Sequence, residues 1–340
     1  GGVNRNVIIN GAMNVAQRST SVTGLGANTS TVTDRYKVCD RWAIDVEGTT
    51  AGRYTLTQDS SAPSGFANSL KLDCTTADTS IATGEAMVLN QIIEGQNVQG
   101  FAKGTSDAKP FAVSFYVKGN ATATYVCELF DGDNTRHVAK TFSVTTDWAR
   151  VELSFPADTT GAFGDDVNAS LYLQIWLHAG ATFKDPSGTL PATWASKTNG
   201  NRAVGGDSFF SSTDRTFFIT GVQLEIGQNP TSFEHEPFET TFRKCQRYCE
   251  TKNDTADGSY ILIGYQSDGS NFRQAWEFQV TKRADPTLSL ATGASWESAS
   301  GYSAPTEYSG ATHVEYYHTE NFYCKQSTNN APNLVAVSEL

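Results

Sequence analysis

Long hydrophobic runs are missing from this sequence. No stretch approaches the ~18 apolar residues that a membrane-spanning helix needs, so we expect no membrane insertion. The first six residues lack the apolar segment of a signal peptide, so we expect none there. Methionine is rare, with 2 in 340 residues, and stretches rich in Leu, Glu, Lys and Ala are nearly absent. This composition argues for short strands joined by many turns.

Charged residues are also scarce, at 18% of the chain, and the net charge is −11. Such a field repels a polyanion, so we expect no nucleic-acid partner. The one clear basic cluster, Arg243, Lys244 and Arg247, is typical of a solvated helix face. Six cysteines are spread too widely for a small disulfide scaffold. We therefore expect free thiols in a reducing compartment.

Catalytic signatures are equally sparse. Gly-x-Ser-x-Gly and glycine-rich phosphate loops are absent. Gly206-Asp207-Ser208 is similar to the nucleophile motif of a lipase/esterase family, but those enzymes also carry Asp-x-x-His late in the chain, and this sequence does not. A turn is the favoured interpretation of the motif. We expect no enzymatic activity and no catalytic residues.

Two motifs contain side chains that bind metals. Asp131-Gly132-Asp133-Asn134 alternates oxygen-bearing residues, but a calcium loop needs further ligands, so a hairpin turn is favoured. Cys245 and Cys249 are predicted to lie one helical turn apart. No second Cys or His pair follows them, which favours buried apolar thiols over half a zinc site. We expect no cofactor or metal from either motif.

Alternating apolar residues give the clearest pattern of the chain. Leu171, Leu173, Ile175 and Leu177 form the strongest alternation, and Gly, Asn and Asp turns separate this run from its neighbours. Period two with one buried face predicts strands, and many short strands predict a β-sandwich. A further strand is predicted at residues 216–226, where Gly221 favours a bulge. Further alternating runs lie at residues 111–117, 125–129 and 151–155.

The pattern changes along the chain. Residues 18–34 are almost all small and polar, which predicts an extended arm. Phe242, Cys245, Tyr248 and Cys249 follow three- and four-residue spacing, which predicts an amphipathic helix. A second series of strands follows. We therefore predict a mainly β protein with an N-terminal arm at 1–41, a β-sandwich at 42–238, a short linker helix at 239–251 and a smaller C-terminal β-domain at 252–340.

Residues 66–119 resemble the front half of a carbohydrate-binding-module jelly-roll. The segments that carry the resemblance are Asn68-Ser69-Leu70-Lys71-Leu72, residues 89–95 and residues 111–119. Residues 218–224 resemble the last strand of the same fold. The resemblance covers most of residues 42–228 and implies that the sandwich is a jelly-roll. Because jelly-rolls of this type often hold a structural calcium ion, it also implies a Ca²⁺ site whose ligands we do not assign.

A second resemblance spans nearly the whole chain in order. The opening segment 6–13, Gln17-Arg18 and Asp40-Arg41-Trp42 look like the start of many phage tail-fibre and virion proteins. Residues 230–235, 245–248, 283–287 and 335–340 resemble the junction and small terminal domain of the same group. The resemblance implies a particle component, often homotrimeric, whose arm docks to other virion proteins. It also implies location in the virion, with assembly in the bacterial host cytoplasm.

The outward face of the strand at 169–179 carries Tyr172, Gln174, Trp176 and His178. An aromatic and polar stripe on one sheet face is how a jelly-roll stacks sugar rings, and Gln91 is predicted on the same concave face. The same stripe also suits a subunit interface or packing under an overlying loop.

The leading hypothesis is a phage virion structural protein, as a tail fibre, receptor-binding protein or capsid or neck appendage. It acts by assembly and surface binding, including recognition of a host glycan. The alternative is a secreted carbohydrate-binding module of a polysaccharide-active enzyme. A third hypothesis, a polysaccharide-degrading enzyme, requires two positioned carboxylates, and no such motif is recognisable.

Overall fold

The computed structural model describes residues 5–252, 264–268, 271–290, 295–298, 305–318, 322–325 and 334–340. These residues form two compact units. The first unit holds residues 5–16, 20–236 and 340, and the second holds residues 17–19 and the described residues of 237–339. Antiparallel sheets dominate both units, which confirms the predicted mainly β fold class.

The first unit is a sandwich of two six-stranded sheets. The first sheet has the order β1-β3-β4-β12-β6-β9, and the second has the order β11-β8-β7-β10-β5-β2. One short helix, α1 (Val32–Arg35), precedes the second strand. The strands are β1 (Ser21–Leu25), β2 (Ala43–Glu47), β3 (Arg53–Asp59), β4 (Ser69–Thr76), β5 (Ala86–Glu94), β6 (Phe111–Gly119), β7 (Ala123–Asp131), β8 (Arg136–Val144), β9 (Ala149–Phe155), β10 (Ala169–Ala179), β11 (Ala195–Ser196) and β12 (Thr216–Ile226).

Period-two alternation builds the core between these sheets. Leu171, Leu173 and Ile175 of β10 are buried, and they belong to one apolar cluster with Phe115 of β6 and Ile219 of β12. Side chains from both sheets therefore fill a single core, as in other aligned sandwiches. The alternate residues of each strand face outward, so each sheet has one outer face.

A bulge interrupts β12 at Gly221. The register with β6 shifts between Thr220 and Gln223, and Gly221 has φ +61°. This confirms the predicted bulge. A Cβ at Gly221 would lie 2.7 Å from Cζ of Phe66 and 2.9 Å from Cδ2 of Tyr116, so only glycine fits without movement.

The N-terminal segment differs from the predicted extended arm at 1–41. Ile8 and Met13 are buried in the core of the sandwich, and β1 pairs with β3. The Asn10 side chain donates to the backbone oxygen of Asp40 (3.0 Å), and the Trp42 indole donates to the backbone oxygen of Asn10 (3.1 Å). A few apolar side chains in an otherwise polar stretch thus suffice to fold it into the domain.

The described residues of the second unit form three small sheets. Their orders are β13-β21-β16, β14-β15-β19-β18 and β17-β20. An apolar cluster of Trp276, Val314, Tyr316, Leu334 and Ala336 lies among the described residues. The elements are α2 (Phe238–Gln246), β13 (Cys249–Lys252), β14 (Gly264–Asp268), β15 (Asn271–Glu277), β16 (Thr287–Leu290), β17 (Ser295–Ser298), β18 (Thr306–Ser309), β19 (His313–His318), β20 (Phe322–Lys325) and β21 (Leu334–Val337).

The helix is shorter than the predicted 239–251. It ends at Gln246, and from Cys249 onward the chain pairs with β21, where Cys249 faces Val337. Cys245 and Cys249 are both buried, but they do not share a helix face as their spacing suggested. Backbone pairing with a distant strand overrides the local helical spacing.

Five cysteines are buried and form no disulfide: Cys39, Cys74, Cys127, Cys245 and Cys249. This agrees with the reduced state predicted for them, and the side chain of Cys324 lies outside the described part. No helix among the described residues has the length and hydropathy needed to cross a bilayer.

Candidate functional site

The predicted stripe lies on the outer face of the second sheet. Tyr172 of β10 is opposite Phe130 of β7, Gln174 is opposite Glu128, and Trp176 is opposite Val126. Cross-strand partners share a face in an antiparallel pair, so these residues point away from the core that Leu173 and Ile175 fill.

An overlying connection covers the middle of this face. Trp176 is only 3% exposed, and its ring lies 5.3 Å from that of Phe183. Both belong to an apolar cluster with Val88, Val126 and Ala203. The segment 180–206, between β10 and β12, therefore packs on Trp176. The structure differs here from the sugar-stacking interpretation of Trp176, because neither ring face is open to a ligand, and it matches the alternative of an overlying loop.

A buried carboxylate anchors this cover. Oε2 of Glu128 accepts the indole N–H of Trp176 (2.7 Å), and Oε1 is 2.7 Å from Nδ1 of His137. Arg202, from the covering segment, donates Nε and Nη2 to Glu128 at 3.0–3.1 Å. Burial raises the pKa of Glu128, but the His137 hydrogen bond and the Arg202 charge outweigh it and hold the pKa below its ordinary value.

Hydrogen bonds continue from Arg202 across two further strands. Nη2 of Arg202 donates to Gln174 (2.6 Å), whose Nε2 donates to Oδ1 of Asn90 (2.6 Å). Nδ2 of Asn90 donates to Oδ2 of Asp45 (2.7 Å), which also accepts from Arg35 (2.9 Å). The oxygen and the nitrogen of the Gln174 amide are thus both hydrogen-bonded within the protein, so this side chain is a fixed part of the sheet face.

Gln91 lies on the other side of the sheet. It is opposite Leu173, whereas its neighbour Asn90 is opposite Gln174. The Gln91 amide bonds both backbone groups of Ile9, at 2.7 and 2.9 Å. The prediction that Gln91 shares the stripe is therefore wrong by one position. Residue parity follows from the β5–β10 register, and one step moves a side chain to the opposite face.

His178 lies beyond a bulge at the end of β10. Its Nδ1 is 2.8 Å from Oγ of Ser208, and its Nε2 is 3.4 Å from Oε2 of Glu85. No motif in the sequence indicated that a histidine would contact Ser208. The Oγ of Ser208 also accepts the N–H of Phe210 (3.1 Å), and the His178 side chain has 0% exposure. The hydroxyl therefore caps the short turn at residues 209–211, and the imidazole is closed to a substrate, which agrees with the predicted turn.

A lysine occupies an oxygen-lined cage at one end of the sandwich. Nζ of Lys103 lies 2.5 Å from Asp131 and 3.1 Å from Asp158, and it donates to the backbone oxygens of Thr160 (2.9 Å) and Gly161 (2.8 Å). The Lys103 and Asp131 side chains have 0% exposure. Charge-assisted hydrogen bonds thus satisfy an ammonium that would be costly to bury alone.

The contact of Lys103 with Asp131 also decides whether the 131–134 motif can bind calcium. This motif is the turn between β7 and β8, as predicted, and Oδ1 of Asp131 accepts the N–H of Asn134 (3.0 Å). Oδ2 of Asp133 accepts the N–H of Gly164 (2.9 Å). With Lys103 on Asp131, the residues do not fit a calcium loop. The described residues contain no cluster of three or more His, Cys, Asp or Glu suited to a metal ion.

One aromatic pair lies where the cover ends. The rings of Phe130 and Tyr172 are 5.4 Å apart, inclined at 52°, and both residues are partly exposed. The Lys197 ammonium and the Arg202 guanidinium each lie 5.3 Å from the Phe130 ring. We call Phe130, Tyr172, Lys197 and Arg202 the aromatic rim. Of the predicted stripe, only Tyr172 belongs to it.

Comparisons with known proteins give only distant similarities. No family model and no curated protein matches the chain. A family 4 carbohydrate-binding module is 14% identical, covering 64% of this chain and 98% of its own, with a TM-score of 0.33. A family 61 module in complex with β-1,4-galactotriose is 8% identical, covering 66% and 100%, with a TM-score of 0.32. A family 11 module from Clostridium thermocellum, in complex with a mixed-linked tetrasaccharide, is 11% identical, covering 64% and 99%, with a TM-score of 0.28. Identities of 8–14% and TM-scores of 0.28–0.33 are too low to indicate a ligand or the role of any residue.

Proposed function

We propose that this chain is a non-catalytic structural component of a tailed-phage particle, which acts by assembly and by binding a host-surface glycan at the aromatic rim. The phage assignment rests on the ordered sequence resemblance from residues 6–13 to 335–340. Under this proposal the chain belongs to the virion, is assembled in the host cytoplasm, and has other virion proteins and two further copies of itself as partners.

The observation that carries glycan binding is the partly exposed Phe130–Tyr172 pair on a sheet face whose middle is covered. Sugar rings present flat C–H faces that pack on aromatic rings, and their hydroxyls bond to neighbouring polar groups. Here two cations border Phe130, and Tyr172 carries its own hydroxyl. The rim therefore combines both kinds of contact.

The rim is held rigid from below. Arg202 is fixed by two hydrogen-bond acceptors, Glu128 and Gln174, and it also lies 4.7 Å from the Trp176 ring. A ligand that contacts Arg202 would not have to order this side chain, so less conformational entropy is lost on binding. The buried polar chain beneath the cover thus supports the rim without itself meeting a ligand.

A glycan array on the purified protein tests the rim, followed by titration of the best ligand. Tyr172→Ala should weaken binding about tenfold, the equivalent of roughly 1.4 kcal/mol. Tyr308→Ala is the matched control, because Tyr308 is 62% exposed and lies in the second unit. No array ligand, or equal affinity in Tyr172→Ala and wild type, would remove the proposal.

The phage assignment has a separate test. Peptide mass spectrometry of purified particles should find this chain in the virion, and native mass spectrometry should show a trimer. A monomer secreted with a polysaccharide-active enzyme would instead support the alternative of a carbohydrate-binding module.

A further inference from the structure

A row of four side chains crosses the outer face of the first sheet. Phe218 of β12 is directly opposite Lys71 of β4 on one side and Lys118 of β6 on the other. Trp148, immediately before β9, lies with its ring 6.0 Å from that of Phe218 in an edge-to-face arrangement. All four are partly exposed, while Phe217 and Ile219 fill the core beneath. We call these four residues the lysine–aromatic row.

Both ammonium groups approach the same ring. Nζ of Lys71 is 5.6 Å and Nζ of Lys118 is 5.9 Å from the Phe218 centroid. Lys71 also pairs with Asp73 at 3.1 Å. In the part of the chain that the structure describes, Lys118 has no carboxylate within ion-pair distance. Two cations at one exposed ring are a local reversal of charge in a protein of net charge −11.

We propose that the lysine–aromatic row binds an acidic polysaccharide built of uronic-acid sugars. The apolar face of a sugar ring packs on Trp148 and Phe218, and its carboxylate pairs with Lys118. A neutral glycan would leave Lys118 without a carboxylate partner. The row lies on the opposite outer face of the sandwich from Tyr172, so this site is distinct from the aromatic rim.

Two other occupants fit the row less well. Nucleic acid is repelled by the overall charge, and two lysines neutralise too few phosphates for stable binding. A second copy meeting the row through a two-fold axis would place lysines against lysines, because an isologous contact is self-complementary, and a trimer contact through the row would be dissociated by Lys118→Met. An acidic sugar meets neither obstacle.

Calorimetric titration with an oligogalacturonate, beside a neutral glucose oligosaccharide of equal length, tests this site. The wild type should bind the acidic oligomer saturably, and added salt should weaken that binding. Lys118→Met should lower the affinity about tenfold and Lys118→Arg should retain it. Lys109→Met removes the same charge from an exposed position outside the row and should change nothing. Tyr172→Ala should also bind normally, which separates this site from the aromatic rim.

Three results would overturn the proposal. The first is no saturable binding of the acidic oligomer, or equal affinity in Lys118→Met and wild type, with thermal unfolding confirming that the variant is folded. The second is an equal loss of affinity in Lys109→Met, which would show that the effect comes from the overall charge of the protein. The third is an oligomer in sedimentation that Lys118→Met dissociates, which would make the row a subunit interface.

Discussion

Trp176 donates its indole N–H to Oε2 of Glu128 over 2.7 Å, and both side chains are buried. The most conspicuous residue of the predicted stripe is therefore a fixed part of the protein interior. Arg202 joins the same carboxylate from the covering segment. The strength of this arrangement determines how firmly segment 180–206 is held on the second sheet.

Glu128→Gln should destabilise the protein by about 3 kcal/mol, because it leaves Arg202 without its charge partner in a mostly buried site. Urea unfolding near neutral pH measures the change. Glu152→Gln is the control: its side chain is 50% exposed and pairs with Arg150 at the surface, so a change of less than about 0.5 kcal/mol is expected. Equal losses in the two variants would contradict the assigned role of Glu128.

Acid should destabilise the wild type more than Glu128→Gln. The folded pKa of Glu128 is below its ordinary value of 4.5, so its contribution is complete above that pH and is lost as the pH falls through the folded pKa. The free energy of unfolding, measured from neutral pH downward, should fall less steeply in the variant. Some slope should remain, because Asp158 also has a lowered pKa. Parallel curves would contradict this assignment.

Lys103→Met should cost roughly 3–5 kcal/mol, since it leaves the buried carboxylate of Asp131 without its cation, whereas Asp158 keeps Arg136. Thermal and urea unfolding report the loss. Lys109→Met, at an exposed position nearby in sequence, should fall within about 0.5 kcal/mol of wild type. A small effect of Lys103→Met would mean that solvent reaches the cage.

Cys39 and Cys127 should resist alkylation in the native protein. Burial is the main cause that raises the pKa of both thiols, which suppresses the reactive thiolate. Iodoacetamide treatment at about pH 8, followed by peptide mapping, should label them only after denaturation. Labelling of either residue in the folded protein would show that this part of the core opens.

Gly221→Ala tests the bulge in β12. The new Cβ meets Phe66 and Tyr116, and the positive φ adds strain. Gly24→Ala has a similar φ of +71° but no atom within 4 Å, so it isolates the backbone cost of about 1–2 kcal/mol. Gly221→Ala should cost roughly 1–3 kcal/mol more than this control. Equal stability of the two variants would show that the new Cβ at residue 221 does not clash with Phe66 and Tyr116.

The sequence alone was sufficient for features that depend on neighbours in the chain. The alternation of Leu171, Leu173 and Ile175 predicts a strand with one buried face, and Gly221 predicts a bulge. Both predictions are confirmed, because side-chain parity and backbone freedom are local properties.

Features that depend on distant partners were not predictable in this way. Gln91 was placed on the wrong face because the β5–β10 register joins segments about 80 residues apart. The cover over Trp176 has no periodicity, and its anchor, Arg202, lies 74 residues from Glu128. Ile8 and Met13 precede the polar stretch 18–34, and only the completed sandwich provides the core that buries them.

The Lys103 cage ties a counter-ion to the chain by covalent bonds. A bound metal in such a position would leave on dilution or chelation, whereas this ammonium stays at fixed stoichiometry whatever the ionic composition of the medium. The protein would therefore keep this end of the sandwich intact in chelators and at changing salt concentration. A single substitution of Lys103 would remove the cation and all of its contacts together.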